Sequence, residues 1–336
     1  MSLNNVEDIA KYIVSNGKGI LAADESNPTC GKRFDSINVE NNELNRRNYR
    51  EMLFKSEGME GNIGGVILFD ETLRQSSDDG RFLKEIITEA GALPGIKVDK
   101  GLQPFKEGSE EVLTQGLDGL NERCKEYDEL GAKFTKWRAV IKIGDDMPSQ
   151  ECIDANMSAL AKYAKIAQDN NMVPIVEPEV LMDGDHDIDA CFEASSKCLT
   201  SLFNHLNKEG VNIKGTLLKP NMITHGFDCP NPSPTQEIAE KTVKCLSENI
   251  SSELPGVTFL SGGQTDIEAT ERLDAMNKLG GFPWKLSFSY GRALQQSALK
   301  AWKGNPENSI LAQEALSKRA HMNRLASEGR WSSELE

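Results

Sequence analysis

Lys219 closes the apolar run at 215–218 and is followed by Pro220. An ammonium sunk in an apolar wall is desolvated, which favours the neutral amine that attacks a carbonyl and forms a Schiff base. The competing reading, commoner for a lone lysine, is a side chain that snorkels from a strand end to water. Two short patterns keep Lys219 company. In Lys136-Trp137-Arg138 and in Glu177-Pro178-Glu179 the charged residues stand at i and i+2. On a strand such positions face the same way, so two cations and two carboxylates can enter one cavity. Asp24 and Ser26 follow another apolar run, Lys97 and Asp99 end a third, and Ser261, Gly262 and Gly263 end a fourth. Ser289, Gly291 and Arg292 close the last. Singly, each has a plain structural account: Asp24 caps a helix, Lys136 and Arg138 are solvated strand positions, Glu177 and Glu179 are loop acids beside Pro178.

These residues sit on short β-type runs at 19–23, 65–69, 95–98, 134–143, 173–176, 214–218, 257–260 and 286–290. Between several runs the apolar residues switch to helical spacing, as in Leu117, Leu120, Cys124, Tyr127 and Leu130, or Met157, Leu160, Ala164 and Ala167. Alternating β and α units imply a parallel sheet. Eight of them without a linker, internal repeat or composition break predict an α/β fold: a single (β/α)8 TIM barrel, one domain over 1–336, with an additional C-terminal helix after Asn305. In that fold the C-terminal strand ends share one mouth, and the polar groups above all fall at such ends. Chance convergence on one rim is a weaker account than a common site.

The chain has 336 residues, 38% of them hydrophobic, enough for a large core. Its net charge of -14 argues against nucleic-acid and anionic-membrane partners, while a local Lys/Arg cluster still suits a small anionic substrate. No membrane span or signal-peptide core is visible, so the expected location is cytoplasmic. The seven cysteines form no CxxC pair and read as reduced thiols. None of the four histidines is paired at ligand spacing, so no catalytic metal and no cofactor are expected. Gly17, Gly19 and Ala22 fit a loose dinucleotide pattern but precede a strand instead of linking one to a helix. Asp183, Asp185 and Asp187 imitate a calcium loop, yet Ile188 stands where its glycine belongs.

The blocks GKGILAADES at 17–26, IGGVILF at 63–69, GIKVDKG at 95–101, TQGLDGL at 114–120 and KWR at 136–138 follow one another. VPIVEPE at 173–179, DGDHD at 183–187, GTLLKPNM at 215–222, FLSGGQ at 259–264 and FSYGRALQ at 288–295 complete the series. In this order, over nearly the whole chain, they resemble the class I fructose-1,6-bisphosphate aldolases, the Schiff-base, metal-free class. The resemblance implies that Lys219 attacks the C2 ketone of the open-chain sugar and becomes an iminium that draws electrons from the C3–C4 bond. It assigns acid/base work to Glu177 with Glu179 beside it, a cationic neighbour to the nucleophile in Lys136, and the C4 hydroxyl proton to Asp24. Ser261, Gly262, Gly263, Ser289, Gly291 and Arg292 match the C1-phosphate end. Ser26, Arg33, Arg46, Lys97 and Arg138 match the C6-phosphate end, with Thr29 where the family commonly has serine.

The family also implies a sugar-phosphate substrate, a homotetramer and, in some members, a cytoskeletal partner. One departure stands out. Animal-type members end in a mobile tail with a terminal tyrosine, whereas the last tyrosine here is Tyr290 and the chain closes on residues 331–336. The expectation is that cleavage survives while enamine proton exchange or bisphosphate preference is reduced or served by another group. Two other readings stay open at this point, a catalytically idle sugar-phosphate binder or scaffold and a transaldolase-like transferase. The intact set of Lys219, Glu177, Lys136 and Asp24 weighs against the first, and the two phosphate ends against the second.

Overall fold

The computed structural model of the chain describes residues 3–336. Eight parallel strands form the barrel: β1 Gly19–Ala23, β2 Ile63–Leu68, β3 Leu93–Lys97, β4 Phe134–Ile141, β5 Val173–Val180, β6 Leu217–Leu218, β7 Gly256–Phe259 and β8 Lys285–Tyr290. Each pairs with its neighbour in chain order and β8 pairs with β1, so the sheet closes on itself. Helices connect them, among them Gln150–Asp169 between β4 and β5 and Asp266–Leu279 between β7 and β8. The expected additional helix is Ser309–Ser327. Strands with helices outside and side chains inside are dry on both faces, which is why they read as unbroken apolar runs instead of alternating ones.

Two cores follow from this layering. Ile20, Ile67, Leu93, Phe134, Val173, Ile175 and Leu217 fill the barrel interior, and Ile9, Ala10 and Ile13 of the helix Val6–Ile13 join them to seal its base. Each fully buried side chain of this size stabilises the fold by about 1.5–3 kcal/mol. The Phe134 ring fits only because β3 carries Gly95: a Cβ there would lie 2.3 Å from it. The larger core lies between the strands and the outer helices.

Two local expectations are corrected. Glu177 and Glu179 lie inside β5, which runs on to Val180 with every residue buried, and are not loop acids. The run at 214–218 starts as a single helical turn, Ile213–Gly215, capped by the Asn212 side chain on Lys214 N at 3.1 Å, leaving a two-residue strand. Outside the barrel, Leu102–Pro104 and Val112–Thr114 form a small antiparallel hairpin.

Candidate active site

Strand register assembles the site. β5 and β6 pair Val176 with Leu218, and the ladder continues through Lys219 N to Val176 O at 2.9 Å, so the next rung sets Lys219 beside Glu177. β4 and β5 pair Arg138 with Glu177, and β3 and β4 pair Lys97 with Lys136. The charged residues of four consecutive strands thus meet at the C-terminal mouth.

Lys219 Nζ lies 3.1 Å from Glu177 Oε1, and Lys136 Nζ lies 3.0 Å from Glu177 Oε2 and 2.9 Å from Asp24 Oδ2. Lys136 and Lys219 are each 4% exposed and Glu177 3%. Four charges alternate in sign along this line, and burial keeps water from screening them. The family resemblance makes Lys136 the cationic neighbour of Lys219; the folded chain inserts the Glu177 carboxylate between the two. Burial works against the Lys136 ammonium, but Asp24 and Glu177 outweigh it and hold the group above the usual lysine range. Burial likewise opposes the carboxylates of Glu177 and Asp24, and the lysines beside them outweigh it, keeping both below the usual carboxylate range. Glu177 is therefore ionised at rest, ready to accept a proton. Glu179 pairs with Arg138 Nε, whose guanidinium it holds charged against the opposing effect of burial.

Around this line the phosphate candidates divide. Ser261 is buried, and Gly263 has φ +80°, a left-handed backbone in which a Cβ would also strike Met182 Sδ and the Phe227 ring at 2.7 Å. Here glycine is required. Gly291 caps the N-terminus of the helix Arg292–Trp302, Arg292 is exposed, and Ser289 Oγ is buried without a partner. A helix N-terminus with free amides favours an anion. Arg33 ion-pairs with Glu25 at 2.6 Å and reaches this same corner, its Nη2 being 3.4 Å from where a Gly291 Cβ would stand. Arg46 donates to Glu71 through Nε at 2.8 Å and Nη2 at 2.7 Å and to Asn41 at 2.9 Å, so its fork is already occupied. Lys97 pairs with Asp99 at 2.7 Å, and Ser26 Oγ lies 3.0 Å from Thr29 Oγ1.

A cavity of about 290 Å3 opens beside Glu179 and Arg138, walled by Met182, Phe227, Gly262 and Arg292. A larger hollow of about 950 Å3, bordered by Lys11, Lys214 and Lys285, lies at the opposite end of the barrel, where the strands begin. Sequence reasoning missed Glu25, which also pairs with Arg50 at 2.6 Å, and Gln264, although both lie inside quoted blocks. The signal was present in each case as a polar residue inside a strand-end motif. Among the described residues no group of three or more His, Cys, Asp or Glu is placed to hold a metal ion, and no helix is long and apolar enough to cross a membrane. Tyr290 is buried with its hydroxyl donating to Ala269 O at 2.9 Å.

The family model described as "Fructose-bisphosphate aldolase class-I" matches residues 5–336. The chain is 50% identical over 332 residues to the probable fructose-bisphosphate aldolase class 1 of Xylella fastidiosa, covering 98% of this chain and 99% of that one. It is 52% identical over 321 residues to the cytosolic fructose-bisphosphate aldolase 4 of Arabidopsis thaliana, covering 95% and 82%. A crystal structure of the Plasmodium falciparum fructose-bisphosphate aldolase, in complex with TRAP and a small-molecule inhibitor, superposes with a TM-score of 0.96 at 47% identity. That match covers 98% of this chain and 95% of that one.

Proposed function

The chain belongs to the class I fructose-bisphosphate aldolase family, and on that premise we propose that Lys219 is the residue through which it works. The enzyme cleaves fructose 1,6-bisphosphate reversibly to dihydroxyacetone phosphate and glyceraldehyde 3-phosphate in glycolysis, by a metal-independent Schiff-base route. The observation that carries the residue assignment is the dry, sign-alternating line Lys219, Glu177, Lys136, Asp24.

In this reading the neutral Lys219 amine adds to the C2 ketone. Glu177 takes both protons the nitrogen sheds, one from the Lys219 ammonium before attack and one after addition, and returns them in turn to the C2 oxygen, which leaves as water, giving the iminium. Asp24 accepts the C4 hydroxyl proton as the C3–C4 bond breaks, and the bond pair flows into the iminium to form the enamine. Lys136 holds both carboxylates ionised and stabilises charge developing at C2 oxygen. Glu179 and Arg138 orient one another beside Glu177. Ser261, Gly262, Gly263, Ser289, Gly291 and Arg292 hold the C1 phosphate, with Arg33 at the same corner. Ser26, Lys97 and Arg138 face the C6 phosphate, and Arg46 shapes that region through Glu71. The test is borohydride reduction in the presence of dihydroxyacetone phosphate, followed by peptide mass mapping. The expected adduct is on Lys219; turnover without that adduct would overturn the assignment.

We also propose a cytosolic homotetramer of single-domain subunits, the location supported by the name of the Arabidopsis relative. Light scattering of the purified protein tests the tetramer. A cytoskeletal partner, which the family resemblance suggests, is tested by co-sedimentation with filaments.

A further inference from the structure

The segment at 261–264 ends on Gln264, which is 8% exposed and whose Oε1 accepts from Arg272 Nη1 at 2.9 Å. A guanidinium carries donors and no acceptor, so it fixes the amide: the oxygen must face Arg272 and the NH2 group must face away. Gln264 also lines the 290 Å3 cavity, alongside Gly262, Gly263, Arg138 and Arg292. Among the described residues its NH2 group donates no hydrogen bond, the amide's one bond being that to Arg272.

Arg272 is unusual in its own right. It is 7% exposed on the helix Asp266–Leu279, its Nε is buried without a partner, and among the described residues the carboxylate it ion-pairs with, Glu268 Oε1, stands 3.6 Å away. Glu268 is occupied with capping that helix, its Oε2 accepting from Thr265 N and Thr265 Oγ1 at 2.9 Å each. An apolar side chain would fill this position at less desolvation cost than an under-paired guanidinium. The cation lies directly behind a loop read here as an anion cradle.

We propose that Gln264 is a further donor to the phosphate group held by this loop, and that Arg272 is the positioning residue that sets its amide and adds positive charge behind the cradle. The proposal rests on the reading of residues 261–263 as the C1-phosphate site.

The test uses Gln264→Ala, Arg272→Met, Arg272→Lys and the Gln264→Ala/Arg272→Met double variant of the full chain. Steady-state kinetics on fructose 1-phosphate, which carries only the C1 phosphate, are combined with the inhibition constant of inorganic phosphate. Gln264→Ala is expected to raise KM and the phosphate inhibition constant about tenfold, the scale of one hydrogen bond to a charged group, with a smaller change in kcat. Arg272→Met moves both constants in the same direction, Arg272→Lys less so, and the double variant is no worse than the weaker binder of the two singles. A phosphate inhibition constant within twofold of the parent in Gln264→Ala overturns the proposal, as do fully additive effects. A purely structural Arg272 would lower Tm without moving the phosphate constant, and Gln264→Ala decides the matter even where Arg272→Met fails to fold. Borohydride trapping separates the two levels. A parent enzyme that forms no Lys219 adduct sinks the mechanism above, whereas normal trapping with unaltered phosphate binding sinks only this inference.

Discussion

Glu177 stands between two ammonium groups, and its charge state decides which way protons move. It is held ionised by Lys136 and Lys219, and in the proposed mechanism it serves first as base and only then, once protonated by the nitrogen, as acid. Glu177→Gln keeps the shape and removes this exchange, so kcat should fall by about 10²–10⁴-fold, with slower borohydride trapping of dihydroxyacetone phosphate. Lys136→Met leaves two buried carboxylates without their shared cation. Urea denaturation at pH 7 should register a loss of about 3–5 kcal/mol, as for other broken buried pairs. The pH dependence has a definite sign. Asp24 and Glu177 have lowered values, so their contribution is complete above the ordinary carboxylate range near about 4 and is lost as pH falls below it. Lys136 has a raised value, so its contribution is complete below the ordinary lysine value near about 10 and is lost as pH rises through the higher, folded one. Urea midpoints across pH should plateau between these limits, and in Lys136→Met, where Asp24 and Glu177 lose the cation that lowers them, the acid-side fall should be smaller.

At the level of elements, the proposed function has strand ends deliver the chemistry and the loops after them hold the anion. The i, i+2 alternation was legible because a strand's two faces differ in environment, and Lys136 with Arg138 and Glu177 with Glu179 obey it. The extent of β5 was not legible, since Pro178 and two glutamates look like a loop until their partners on β4 and β6 are known. Gly263 illustrates how tightly the phosphate loop is set. Gly263→Ala would place a Cβ against Met182 and Phe227 in a left-handed backbone, costing about 1–2 kcal/mol from the backbone alone. The expected readout is a lower Tm together with a higher KM for both sugar phosphates. An unchanged KM would show that this turn does not shape the phosphate end.

For the whole molecule, the C-terminal segment is tied to the barrel's outer layer. Trp331 is buried, its amide donates to Asp274 Oδ1 at 2.9 Å, its indole donates to Glu336 Oε1 at 3.0 Å, and Glu336 also pairs with Arg319. Arg319 in turn donates to Thr270 Oγ1 at 2.6 Å on the helix that follows the phosphate loop. Trp331→Ala should therefore destabilise the fold by about 3 kcal/mol or more. If residues 1–336 form one domain, denaturation followed by tryptophan fluorescence and by far-ultraviolet dichroism should still give one coincident transition, shifted to lower urea. Two separated transitions would contradict the single-domain reading. Overnight dialysis against a chelator should leave kcat unchanged, as metal-independent chemistry requires.

By itself the sequence determined the barrel, because eight apolar runs with helical spacing between them have few other ways to become dry. It also singled out the candidate residues, because a lysine ending an apolar run and charged pairs at i and i+2 are local patterns. The tertiary structure alone decided who meets whom. Glu177 falls between Lys136 and Lys219, Arg33 reaches the Gly291 corner, Arg46 is taken by Glu71, and Arg272 stands behind Gln264. These contacts depend on the stagger between neighbouring strands and on which helix packs behind which loop. Such long-range geometry is set by the closure of the barrel and leaves no trace in the spacing along the chain.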